Sequence, residues 1–393
     1  MTAPYAPAPY DGVVIAAPFT TPYTRFSPHP AQYWLGSALR GSLKAAGLTP
    51  RDIDGLTVSS FTLFPDTAPG LADHLGLDLR WLETVTVGGA CGVVALRRAA
   101  RAVQMGEAGI VACIAGDANE IDSFRRLLQS FSRFAMDASY PYGAGGPNAV
   151  FALLTDHYMR KFRATREDFG RIATAQRANA RRNPQALLRS ALGLDDYLGA
   201  RMISDPLCLF DCVMPCAGAE AFLVMSEDRA RALGLPHARI RATMERHNAF
   251  PDDPAQYRGG WAGDAPGMWD TAGIGPGDID LLQTYDDYPV ICAMQAEDLG
   301  FCPKGEGARF LASRDTTIDG DFPHNSSGGQ LSAGQAGAAG GFLGLTEAIR
   351  QVTATAGPTQ VAKAARALVS GFGMVNYDRG ICSAAAIIEG KGA

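Results

Sequence analysis

The chain of 393 residues has no uncharged apolar segment of the roughly 18 residues a membrane-crossing helix requires, and no polybasic run. The first absence argues against a helical membrane span. The second, with a net charge of −5, argues against nucleic-acid or anionic-membrane partners. The opening stretch MTAPYAPAPYDG is proline-rich and polar and lacks the apolar run of a secretion signal, so a cytoplasmic location is expected. The eight cysteines are scattered through apolar runs, which fits reduced thiols better than a disulfide framework in a chain this long. Cys208, Cys212 and Cys216 form a regular array, but Pro206 and Pro215 interrupt any helix that would carry it. No histidine nearby completes a four-ligand set, and no metal is expected.

What is present points to a well-buried α/β enzyme. Hydrophobic residues make up 47 % of the chain, with 45 glycines and 24 prolines, and the length suits two packed domains or one large fused one. Residues 1–11 read as a loose arm, and 11–17 as the first strand. The stretch 32–46 reads as an amphipathic helix stopped by Gly47. Then AGLTPRDIDGLTV at 46–58 combines a helix stop, a proline-led turn and a strand. It recurs as AGIGPGDIDLLQT at 272–284. Each copy is followed by a glycine-rich strand-to-helix junction, GGACGVVAL at 88–96 and SSGGQLSAGQAGAAGGFLG at 326–344. An apolar strand comes next, GIVACIAG at 109–116 and ARALVSGFG at 365–373. Two copies of one α/β unit imply a pseudo-two-fold molecule whose site lies at the seam, where the two junctions face each other. The halves are expected at 1–265, including an inserted loop region, and 266–393.

Between the copies, residues 123–134 read as a basic, aromatic helix-like piece and 139–147 as a flexible glycine-rich loop. Residues 151–162 read as a buried strand followed by a helix. The arginines of 166–183 read as a solvated helix face, and 219–225 as the strand that closes the first sheet.

The junction at Thr84 to Val103 carries the clearest chemistry. Cys91 follows Gly88-Gly89 where a helical pattern begins, with Arg97, Arg98 and Arg101 on its polar side. A thiol at a helix N-terminus feels unpaired N–H groups and the positive end of the helix, both of which favour thiolate. The paired glycines admit a carbonyl-bearing substrate close to the backbone. The competing reading is a small buried cysteine in a tight turn.

The ordered set GGACG, MISDPLCLFDC (202–212), TYDDYP (284–289), EDLGFCPKGEG (297–307), NSSGGQLSAGQAGAAGG (325–341) and SGFGMVNYDRGICSAAAIIEG (370–390) resembles the thiolase superfamily over nearly the whole chain. Within it, the resemblance is to the branch around the sterol carrier protein thiolases and their aldolase relatives. It implies an αβαβα layered fold of two similar halves, a homodimer, and an acyl-CoA thioester as substrate with no permanently bound cofactor. It further implies a small OB-fold partner with a zinc ribbon that helps bind the acyl-CoA. Cys91 matches the family nucleophile. The family's Gly-His-Pro is Gly334-Gln335-Ala336 here, so Gln335 can donate a hydrogen bond but cannot take a proton. The family's second cysteine aligns with Tyr377. Tyr285 stands where aldolase relatives also place a tyrosine, and His324 is the nearest histidine to the second junction. The candidate catalytic set is therefore Cys91, Tyr285, His324, Gln335 and Tyr377, with Gly89, Asn325, Gly328, Gly329 and Gly373 as substrate-binding positions. Asp286 and Asp287 read as loop or capping carboxylates.

Three functions fit. Retention of Cys91 narrowly favours an acyl-CoA C-acyltransferase working through a Cys91 acyl-enzyme. A retro-aldolase acting on a β-hydroxyacyl-CoA, with Tyr285 as acid/base, fits the tyrosine and the missing Gly-His-Pro histidine. A non-catalytic thiolase-fold subunit of an acyl-CoA complex fits the loss of the usual acid/base residues.

Overall fold

A computed structural model describes residues 5–123, 132–377 and 379–390. Its strands, in chain order, are β1 (Val13–Thr20), β2 (Gly55–Ser59), β3 (Trp81–Thr84), β4 (Ile110–Asp117), a small β5–β6 hairpin (Met202–Ser204 and Leu207–Cys208), β7 (Gly218–Ser226), β8 (His237–His247), β9 (Leu281–Gln283), β10 (Arg366–Asn376) and β11 (Arg379–Glu389). Nine of them form one mixed sheet in the order β3-β2-β4-β7-β1-β8-β11-β10-β9.

That order is nearly palindromic, as the sequence repeat requires. From the central antiparallel β1–β8 pair outwards, β1-β7-β4-β2 on one side matches β8-β11-β10-β9 on the other, with the same parallel and antiparallel relations at each step. The position of β3 is matched by a single parallel bridge between Leu282 and His324. The repeated motif itself superimposes in kind. Each copy starts from a helix ending in a left-handed glycine, Gly47 or Gly273, passes through a 3-10 turn begun by Pro50 or Pro276, and enters β2 or β9.

Alternation along the strands sorts the apolar residues into one central and two outer cores. Phe222 and Val224 of β7, with Ala367 and Val369 of β10, face a central core built on the helices Cys91–Gln104 and Gly340–Val352. Their neighbours Ala221 and Leu223 face an outer core with the helix Ala31–Ala46. Leu368 and Phe372 face the other outer core, with the helices Trp261–Ala272 and Pro289–Asp298. This is the expected αβαβα arrangement, and each Leu, Ile or Phe so buried contributes about 1.5–3 kcal/mol. The two central helices cross backbone to backbone, because a β-carbon on Gly92 would lie 2.2 Å from the carbonyl oxygen of Gly341.

Several local expectations are corrected. The described part of the N-terminal arm is pinned rather than loose. The Tyr5 hydroxyl donates to Thr243 O (3.0 Å), and Arg101 donates to Pro9 O (2.7 Å) with its guanidinium over the Tyr10 ring. Arg97 and Arg98 both pair with the half-buried Glu245. The helix Gly146–Phe162 is continuous where a strand was expected, since its apolar run packs at helical spacing beneath Tyr288. Within the helix Arg166–Arg182, Arg177 is buried and donates to Ser332 Oγ (2.9 Å). The basic, aromatic piece read at 123–134 falls mostly outside the described residues.

Candidate active site

A cavity of about 350 Å³ opens at the seam between the halves. Gly88 and Gly89 of the first junction line one wall, and Gln335 and Gly337 of the second line the other. Tyr285, Asp287 and Tyr288 form the floor, while Phe61, Phe151, Val213, Phe372, Met374 and Val375 supply apolar surface.

Tyr285 is brought there by the loop leaving β9. Gln295 fixes that loop, accepting from the Tyr285 N–H (3.1 Å) and donating to the Tyr285 carbonyl (2.7 Å). The phenol ring then packs against Gly89, where a β-carbon would sit 2.2 Å from the ring. Glycine at 89 is thus required by the approach of Tyr285, in addition to any approach of substrate. Asp287 and Gln335 share the cavity lining with the Tyr285 phenol and act on its acidity. Burial, reinforced by the negative Asp287, holds the phenol well above its ordinary range, so it is protonated at neutral pH. Gln335 is oriented by its own loop, its Oε1 accepting from Gly337 N–H and its Nε2 donating to Gly337 O, both at 3.3 Å.

The two carboxylates after Tyr285 point opposite ways, as successive residues of an extended loop do. Asp286 is buried and accepts from Gln330 N–H (2.9 Å) and Leu331 N–H (3.3 Å) at the start of the short helix Gly329–Ala333, which is a capping role as expected. Asp287 is not a cap. It lines the cavity, and its Oδ1 is buried with no partner among the described residues. Burial pushes its carboxyl up to about 7, with the neighbouring Asp286 adding to the shift. Sequence reasoning missed this residue, although alternation along TYDDYP was the signal that could have found it.

Cys91 sits at the start of its helix as expected, but it is sealed. It does not line the cavity; Gly88 and Gly89 do. Its Sγ donates to Ala338 O (3.0 Å), and the opposing Gly341 lies so close that a β-carbon there would be 2.7 Å from the sulfur. Burial pushes the thiol up to about 12. The expectation that the helix end favours thiolate is overturned, since desolvation of the charged form outweighs the terminus.

The other candidates are dispersed. His324 is fully buried away from the cavity, with its Nε2 2.7 Å from Thr284 Oγ1, and burial lowers it to about 3, leaving it neutral. Asn325 turns its Oδ1 to the Thr284 N–H (2.9 Å). Gly328 and Gly329 belong to the helix start that receives Asp286, and Gly373 packs against Val87 O. Tyr377 stands in the β10–β11 turn, 46 % exposed and outside the cavity lining. The residues of its motif that do reach the cavity are Phe372, Met374 and Val375. Of the ten candidates, Tyr285, Gln335 and Gly89 converge on the cavity.

A layered αβαβα pair of repeats with facing glycine-rich junctions defines a thiolase-type fold, and comparison with known proteins agrees. Residues 247–382 match the family described as "Thiolase C-terminal domain-like". The chain is 33 % identical over 337 residues to the steroid side-chain-cleaving aldolase of Thermomonospora curvata, across 81 % of this chain and 84 % of that protein. It is 32 % identical over 338 residues to the 17-hydroxy-3-oxo-4-pregnene-20-carboxyl-CoA lyase of Mycobacterium tuberculosis, across 81 % and 85 %. The solved Ltp2-ChsH2(DUF35) aldolase superimposes with a TM-score of 0.81 at 26 % identity, over 97 % of this chain and 98 % of that one. The chain belongs to the thiolase superfamily, in the sterol carrier protein-like branch that includes aldolases.

Proposed function

We propose that the chain is a retro-aldolase that cleaves the Cα–Cβ bond of a β-hydroxyacyl-CoA. This replaces the narrow preference for acyl transfer through Cys91. The observation that carries it is the division of the seam: Tyr285 and Gln335 face the cavity, while the Cys91 thiol is sealed and neutral behind Gly89. Kinship with a named aldolase and a named lyase supports the same choice.

In this reaction the β-hydroxyl proton passes to the Tyr285 oxygen as the phenol gives up its own, and the Cα–Cβ electron pair moves into the thioester as an enolate. The β-carbon leaves as a ketone or aldehyde. The Gln335 Nε2–H donates to the enolate oxygen, and Cα is then reprotonated. The apolar wall of Phe61, Phe151, Phe372, Met374 and Val375 suits a bulky hydrophobic acyl group, in keeping with the steroid substrates in the relatives' names. Likeness to the Ltp2-ChsH2(DUF35) aldolase supports a small acyl-CoA-binding partner of the OB-fold, zinc-ribbon kind. A homodimer remains part of the proposal, to be read from solution mass.

The test is mass spectrometry of products and intact protein after incubation with β-hydroxyacyl- and β-ketoacyl-CoAs, with and without such a partner. Release of a carbonyl product and a shortened acyl-CoA, with no acyl mass on the protein, is expected. An acyl adduct that disappears in Cys91→Ser would reverse the assignment to acyltransferase.

A further inference from the structure

Cleavage leaves one question of proton accounting. The Tyr285 phenol is protonated and sits in an apolar cavity beside a carboxylate, so it cannot accept the substrate's proton and keep its own. We propose that Asp287 is the terminal proton acceptor of the reaction, taking the Tyr285 proton as Tyr285 takes the proton of the β-hydroxyl. This deepens, and rests on, the retro-aldolase reading.

The geometry carries it. Asp287 lines the cavity two residues from Tyr285, with the phenol on the same stretch of lining. Its Oδ1 is buried and without a partner among the described residues, an expensive state for a carboxylate with only a structural role. The neighbouring Asp286 has both oxygens occupied by backbone N–H groups, so the loop is anchored without Asp287. The groups that face Asp287 are Tyr285, Asp286, Cys212 and Tyr288. None is a cation that would hold it ionised. Burial leaves its carboxyl near 7, between the phenol and bulk water in proton affinity, where an acid/base group is most effective at neutral pH.

The step balances. The β-hydroxyl O–H bond breaks as the new Tyr285 O–H bond forms, while the former Tyr285 proton moves to Asp287. The Cα–Cβ pair becomes the enolate. On protonation of Cα, Tyr285 delivers the proton it took from the β-hydroxyl and recovers its own from Asp287, and the dyad is restored without any added oxidant or reductant. Phenol and carboxylate each finish as they began.

The experiment pairs kinetics with titration on the protein and its partner. In Asp287→Asn, kcat/KM for β-hydroxyacyl-CoA cleavage should fall by about a hundred- to ten-thousand-fold, and the acid limb of the wild-type pH profile near 7 should vanish. Asp287→Glu should recover part of the rate and a displaced limb, which a purely structural role would not produce. In parallel, ¹³C-carboxyl NMR of aspartate-labelled resting protein should show one group titrating near 7 that is missing in Asp287→Asn. An Asp287→Asn protein with near wild-type cleavage and an unchanged limb would overturn the proposal, and so would the absence of that titrating carboxyl. If the wild type cleaves no β-hydroxyacyl-CoA while the carboxyl titrates as stated, the retro-aldolase reading fails and the buried Asp287–Tyr285 pair stands.

Discussion

The two faces of the seam have the same architecture and opposite chemistry. The first junction presents Cys91, the most reactive residue type in the neighbourhood, yet closes it between Gly89, Gly341 and Ala338 with its thiol pushed up to about 12. The second side presents Tyr285, Asp287 and Gln335, weaker reagents by type, and opens them to the cavity. A repeated unit can therefore bring two glycine-rich junctions to one cavity while the reactive side chain of the first is kept out of it. Burial strips water from the groups on both sides, and what separates the two is access to the cavity, not secondary structure. A helix N-terminus favours an anion only when the anion is not also stripped of water.

The sharpest way to break that comparison is to remove the reactive atom on each side. Tyr285→Phe should lower kcat/KM for cleavage by about 10²–10⁴-fold, whereas Cys91→Ser should stay within about threefold of wild type, read from steady-state product release. Equal losses on both sides would erase the distinction. A smaller effect is expected at the contact between them. Gly89→Ala drives a methyl to 2.2 Å from the Tyr285 ring, so the phenol must shift. The expected cost is about 1–3 kcal/mol of stability in a denaturant titration, together with a fall in kcat.

The smallest effect concerns stability alone and has the opposite sign. The folded protein holds the Asp287 carboxyl near 7, far above the ordinary carboxylate value of about 4. Between those two values the native state binds more protons than the unfolded chain, so this group destabilises the fold progressively as pH rises through that window. Asp287→Asn should raise Tm by a few degrees at pH 8, with the gain fading towards pH 4 in a thermal melt series. His324, held near 3, works the other way, costing stability as pH falls below its unfolded value of about 6.5.

Much of the fold was legible because it is written twice. The AG…P…DID motif fixed a helix stop, a proline turn and a strand at both 46–58 and 272–284, and two such units with apolar strands implied the layers. The apolar run at 151–154 was misread as strand because a short buried run has no period that separates strand from helix. In the site, Tyr285 and Gln335 were found by resemblance to known motifs. His324 was assigned by adjacency in sequence and Tyr377 by alignment with the family's second cysteine, and neither says which direction a side chain takes. Asp287 was overlooked because a carboxylate in a loop is usually solvated, and only the packed structure shows Asp286 absorbed by the backbone and Asp287 turned inward.

The helix crossing at Gly92 and Gly341 limits how separable the halves are. Repeat-built proteins invite recombination, in which one half is exchanged for that of a relative to alter specificity. Here the halves meet where neither has a side chain, with a would-be β-carbon of Gly92 only 2.2 Å from the opposite carbonyl and the Cys91 sulfur directly above. A chimera would succeed only between parents that both keep glycine at this crossing. The same close approach recurs along the seam, where a β-carbon on Gly373 would lie 2.1 Å from Val87 O and one on Gly89 2.4 Å from Phe372 O, so the modularity of this chain ends at a line of backbone contacts.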